Sequence, residues 1–183
     1  MDDQLEFLKL IASRLDSIGI SYMMTGSMAM AVYSVPRMTR DIDLVVEIGP
    51  EDVEKIVNLF SNDCYIDRDG VRQAVQAHSM FNIIHNQWVV KADFIIRKNE
   101  EYRREEFSRR KKMVIEGSVI FIVSVEDLIL SKLVWGKQSF SDLQLNDVRL
   151  MVSTVSDLDW NYLEKWAVLL GVGPLLGKAR KNG

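Results

Sequence analysis

Cysteine is almost absent from this 183-residue chain: Cys64 is the single one. No internal disulfide framework can form, no cysteine zinc site can be assembled, and a reducing cytosol suits such a chain. Histidine is nearly as scarce, with His78 and His85 alone, too few for most histidine-rich metal centres. His85 falls at the expected tip of a hairpin, where exposure is the expectation, and His78 has no evident partner, so neither receives a role. No apolar run approaches the roughly 20 residues of a membrane span. The opening Met1-Asp2-Asp3 is acidic where an export signal needs positive charge, so a cytoplasmic location without a membrane is expected. Net charge is −3, which excludes a bulk polyanion binder. Internal repeats and low-complexity stretches are also missing. What remains is ordinary globular composition, 48% hydrophobic and 27% charged. The length suits one domain, or one domain with a small helical annex.

The informative stretch runs from Met24 to Val46. The apolar run Ser21–Met24 enters the small-residue turn Gly26-Ser27, and a short helical segment follows up to Pro36. Asp41-Ile42-Asp43 then opens a second apolar run, Leu44-Val45-Val46. On a strand, side chains alternate faces, so Asp41 and Asp43 point the same way. Two like charges so placed repel, and a divalent cation relieves the cost. A further acid, Asp93, interrupts the apolar run from Val89 to Ile96. Glycine at 26 permits close backbone approach to a phosphate, Ser27 offers a hydroxyl, and the N–H groups opening the next helix favour anions. The competing reading of Gly26 is a plain tight turn. The competing reading of the acids is a strand edge carrying solvated charge.

The order Gly-Ser, helix, Asp-x-Asp strand and later strand carboxylate resembles the signature of the DNA-polymerase-beta-like nucleotidyltransferase superfamily. Thirteen residues, 28 to 40, separate Ser27 from Asp41, at the long end of that pattern. The resemblance implies an α+β nucleotidyltransferase fold, a central mixed sheet flanked by helices with a C-terminal helical extension. It implies transfer of a nucleoside monophosphate from a nucleoside triphosphate (NTP) to an acceptor hydroxyl, with release of pyrophosphate. Asp41, Asp43 and Asp93 would be the catalytic, metal-binding residues, for Mg2+ or Mn2+. Gly26 and Ser27 would seat phosphates. Arg37 and Arg40 could reach triphosphate oxygens or neutralise the acids, and Arg40 could equally be a surface residue. Lys132, inside the apolar run 128–135, either snorkels to solvent or meets a phosphate, and the family favours the latter.

The rest of the chain reads as helices and strands around this motif. Leu5, Leu8, Ile11, Ala12, Leu15 and Ile18 have the spacing of an amphipathic helix over 3–18. Val53, Ile56, Val57 and Phe60 form the buried stripe of a helix over 50–60. Residues 62–70 read as a loop or weak strand and 71–79 as a short helix. Residues 80–85 and 87–96 form a hairpin, and 113–116 and 118–123 another around Gly117. Ser124 caps a helix that gives way to a polar linker at 136–141. Helices over 142–152 and 159–170 follow, with Trp160 and Trp166 packing them, and the basic end Lys178, Arg180, Lys181 reads as a frayed tail. The expected division is a core, 1–123, and a helical subdomain, 124–183, packed on it.

Residues 97–112 carry eight bases against four acids. They form either a solvated helix laced by Glu–Arg pairs or a landing strip for nucleic acid. The helical tail resembles small stand-alone bacterial nucleotidyltransferase-like proteins, including abortive-infection and toxin–antitoxin enzymes. The acceptor stays open among RNA, a protein and a small molecule. The alternatives are a non-catalytic nucleotide-binding module and a toxin–antitoxin-type protein that needs a partner chain or a second copy of itself.

Overall fold

The computed structural model describes residues 2–35, 39, 41–139 and 141–181. The chain divides into two compact units. One combines Met1–Thr25 with Met38–Ile122; the other combines Gly26–Arg37 with Val123–Gly183. They are called here the sheet unit and the helical unit.

The sheet unit holds seven strands: β1 (Tyr22–Thr25), β2 (Asp41–Val46), β3 (Cys64–Ile66), β4 (Met80–His85), β5 (Lys91–Ile96), β6 (Lys111–Ile115) and β7 (Ser118–Ile122). Their order across the sheet is β3-β4-β5-β2-β1-β7-β6. The sheet is mixed: β2 with β5 and β1 with β7 run parallel, and the other pairs are antiparallel. Alternation then decides what each strand does. Ile42, Leu44 and Val46 of β2 and Ala92, Phe94 and Ile96 of β5 share one face and are all buried. A slip of one residue in either strand would bring its charged residues onto that apolar face, so burial fixes the register.

Four helices belong to this unit: α1 (Asp2–Ser17), α3 (Val53–Phe60), α4 (Arg68–Ala77) and α5 (Glu101–Ser108). In α1, Leu8, Ile11, Ala12 and Leu15 are buried as their spacing demands, joined by Phe7. The stripe of α3 is Val53, Ile56, Val57 and Phe60, as its sequence requires, behind a short 3-10 turn at Pro50–Asp52. Both expected hairpins form, with β4–β5 and β6–β7 antiparallel. His85 departs from expectation. It is buried, stacked on Trp88 with ring centroids 3.9 Å apart, and its Nδ1 accepts a hydrogen bond from the Trp88 backbone N–H. The turn folds back and covers the ring instead of presenting it.

The helical unit contains α2 (Gly26–Tyr33), α6 (Val125–Ser139), α7 (Asp142–Thr154), α8 (Trp160–Leu169) and α9 (Gly173–Lys181). Ser124 caps α6: its Oγ accepts from the Asp127 N–H and donates to Asp127 Oδ2 at 2.6 Å. Asp159 caps α8 by accepting from the Tyr162 N–H. Within the unit α2 packs against α6 and α7, and the Tyr33 hydroxyl donates to the Val123 carbonyl. Two local expectations change. The stretch after Trp135 is no linker, because α6 continues to Ser139. The basic end is helical: Arg180 pairs with Glu164 and lies 4.2 Å above the Trp160 ring. Among the described residues no helix is long and apolar enough to cross a membrane.

Candidate active site

The sheet that buries Leu44 and Phe94 on one face turns its polar residues to the other. Asp41 and Asp43 alternate with the buried positions of β2, as do Lys91 and Asp93 with Ala92 and Phe94 of β5. Parallel pairing puts Asp43 directly beside Asp93 and Asp41 directly beside Lys91. Adjacent strands lie roughly 4.8 Å apart, so the paired side chains are neighbours. The row extends to Thr25 of β1, opposite Asp43, and Asn82 of β4, opposite Asp93. A polar band, Asn82–Asp93–Asp43–Thr25, therefore crosses four adjacent strands. The three sequence-identified acids share this face.

Their surroundings differ. The Asp41 side chain is about half exposed at 50%, whereas that of Asp93 is only 10% exposed. Asp93 Oδ2 accepts a hydrogen bond from Lys91 Nζ at 3.0 Å, and the same ammonium is 3.5 Å from Asp41 Oδ2. The other oxygen, Asp93 Oδ1, is buried and has no hydrogen-bond partner among the described residues. An unsatisfied buried carboxylate oxygen is expensive and calls for an explanation. The hydrogen bond to Asp93, with attraction to both acids, holds the Lys91 ammonium above its ordinary pKa, so Lys91 carries its charge.

The resemblance of the Gly-Ser and Asp-x-Asp motifs implies a divalent cation at these acids. As the side chains stand, the described residues contain no group of three or more His, Cys, Asp or Glu arranged to hold a metal. Magnesium, however, commonly takes one or two carboxylates and completes its shell with substrate phosphates and water. Asp43 and Asp93, side by side, with one buried oxygen of Asp93 uncommitted, fit that requirement.

The remaining sequence-identified residues lie elsewhere in the chain. Gly26 directly follows β1 with φ +68°, a left-handed conformation that glycine alone adopts without strain. Ser27 is the second residue of α2 and is buried. Arg37 and Arg40 lie outside the described residues. Lys132 is buried in the helical unit, where its Nζ donates to Asp147 Oδ2 at 2.6 Å and to Gln144 Oε1 at 3.1 Å. These bonds use two of the three donors of the ammonium. In the basic stretch, Arg97 pairs with Glu47, Arg103 with Glu106, and Arg104 with Asn99. Arg110 lies over the Phe107 ring. These four arginines serve the fold of the sheet unit. Lys91 has a signal in the sequence, because its i, i+2 spacing from Asp93 on a strand puts the two on one face. Thr25 and Asn82 depended on strand register, which no local pattern discloses.

No protein-family model matches the chain, and no curated protein matches it. Its likeness is to solved structures. One is an antigenic nucleotidyltransferase-like protein from Paracoccidioides brasiliensis, 18% identical with a TM-score of 0.61, covering 98% of this chain and 93% of that one. A second is the complex of ANT(2″)-Ia with adenylyl-2″-tobramycin, 14% identical, TM-score 0.56, covering 99% of this chain and 98% of that one. A third is the lincomycin-bound lincosamide antibiotic adenylyltransferase LnuA, 11% identical, TM-score 0.54, covering 85% and 98%. With its mixed seven-stranded sheet, flanking helices and helical C-terminal part, the chain has the nucleotidyltransferase fold.

Proposed function

We propose that this protein is a metal-dependent nucleotidyltransferase that moves a nucleoside monophosphate from an NTP to an acceptor hydroxyl. The carrying observation is the in-register pair Asp43–Asp93 on parallel strands, with Asp41 on the same face and a buried oxygen of Asp93 uncommitted. Asp41, Asp43 and Asp93 would hold Mg2+ or Mn2+. When bound, the cation would offset negative charge on the transferring phosphoryl group and the leaving pyrophosphate. The acceptor oxygen would bond to the α-phosphorus as the bridge to the β-phosphate breaks. Its proton would pass to Asp93, the least solvated of the three carboxylates. Gly26, Ser27, Arg37 and Arg40 would bind phosphate oxygens. Lys132 would join them through its remaining ammonium N–H.

A small-molecule hydroxyl is the acceptor class favoured here. Four of the eight bases in the basic stretch, Arg97, Arg103, Arg104 and Arg110, are engaged within their own unit, which weakens the case for RNA. Two solved neighbours are named for small-molecule complexes, with lincomycin and with adenylylated tobramycin. Titration of the wild type and an Asp41→Asn/Asp43→Asn variant with the four ribonucleoside triphosphates, with and without Mg2+, tests the proposal. Magnesium-dependent binding in the wild type, lost in the variant, is expected; equal binding by both proteins contradicts it. One observation favours the second reading, a non-catalytic module: the Lys91 ammonium already stands on Asp41 and Asp93.

A further inference from the structure

Two carboxylates and one ammonium share a strip of sheet where the fold leads one to look for a divalent cation. Lys91 is paired directly across the ladder with Asp41 and is two residues from Asp93 on its own strand. Its Nζ is 3.0 Å from Asp93 Oδ2 and 3.5 Å from Asp41 Oδ2, so it bridges acids of two strands. Its side chain is 37% exposed, against 10% for Asp93. The ammonium therefore has a way out to water that the Asp93 carboxylate lacks. A lysine is a compact charge on a flexible four-carbon stem, suited to swing aside without disturbing the strand.

We propose that Lys91 is the resident counter-cation of this site: it neutralises Asp41 and Asp93 in the metal-free protein and competes with the divalent cation for them. The inference rests on the reading of the three acids as a cation site. Without Lys91, Asp93 would stand beside Asp41 and Asp43 with no lysine ammonium on it, and a bound metal would relieve more of the repulsion. With Lys91, the sheet folds without metal, and cation entry must displace the ammonium. Metal occupancy is thereby set lower in the free protein. NTP binding, which adds phosphate ligands to the cation and anionic charge to receive the displaced ammonium, raises it. Lys91 thus acts as a positioning residue.

The test is Mn2+ titration of the full chain, followed by electron paramagnetic resonance with and without a non-hydrolysable NTP analogue. Wild type, Lys91→Met and Lys91→Arg are compared, with thermal melting in EDTA alongside. Lys91→Met is expected to bind Mn2+ at least roughly tenfold more tightly than wild type, since a unit charge a few ångströms away is removed from a half-exposed site. It is also expected to melt lower in EDTA and to recover with Mn2+, whereas Lys91→Arg stays near wild type. Equal Mn2+ affinities in wild type and Lys91→Met would overturn the competition and leave the metal-dependent reading standing. No Mn2+ binding by any of the proteins, even with nucleotide analogue, would overturn both.

Discussion

Single residues show how far side-chain chemistry follows from local sequence. Lys132 is a lone base in an apolar helix, and instead of reaching solvent its ammonium pairs with the buried Asp147, a partner not expected from the sequence. That partner comes from a helix the sequence placed correctly but whose facing side could not be read. Removing one member of a buried ion pair strands the other, so Asp147→Ala should cost about 3–5 kcal/mol in chemical denaturation. Replacing both residues with apolar ones should cost less. Cys64 is buried, and burial beside Asp63 pushes its thiol up to about 12. A disulfide reagent at pH 8 should leave the native thiol unmodified and label it once the chain is unfolded. Asp63 receives two hydrogen bonds from the Arg14 guanidinium, at 2.8 and 2.6 Å, which hold its carboxyl below the ordinary value. A carboxylate depressed in this way adds stability above its unfolded pKa and loses it as pH falls through the folded one. Asp63→Asn should therefore destabilise the protein at pH 7 and make little difference in strong acid, as melting curves across that range would show. The burial of His85 is not legible in sequence, which gives the position of a turn but not what the turn folds back upon.

At the scale of elements, periodicity carried most of the reading. The stripes of α1 and α3 and both hairpins follow from spacing alone, because a 3.6-residue or two-residue period leaves one solution for burial. The candidate site was half legible on the same grounds. Alternation puts Asp41 with Asp43, but only the parallel register of β2 and β5 brings Asp93 beside Asp43. Long-range register depends on packing of the buried face, which local pattern does not encode. Leu44 lies on that face, fully buried between Met24 and Phe94 in the ladder. Leu44→Ala should cost about 2–5 kcal/mol. Asp43→Asn, by contrast, keeps the side-chain shape on the polar face. It should retain a wild-type melting profile while losing magnesium–nucleotide binding and transfer. A variant that loses activity by unfolding would show it in circular dichroism.

At the scale of the molecule, the chain runs from the sheet unit into the helical unit at Gly26, returns after residue 37, and leaves again after Ile122. Assignment of α2 to the helical unit was not visible in sequence, since nothing local says which distant helices it joins. What was visible is the order of elements around Gly26-Ser27 and Asp41-Ile42-Asp43, and that order belongs to a fold shared with solved proteins only 11–18% identical. Identity that low carries topology and not chemistry, so a cation site at Asp43 and Asp93 rests on the acids themselves. It is tested most directly by anomalous diffraction from a crystal grown with Mn2+ and a non-hydrolysable NTP analogue. A manganese peak bonded to Asp43 and Asp93 is expected, with the triphosphate completing its shell and Lys91 moved off Asp93. A nucleotide bound with no manganese at these acids, or manganese bound elsewhere, would contradict it.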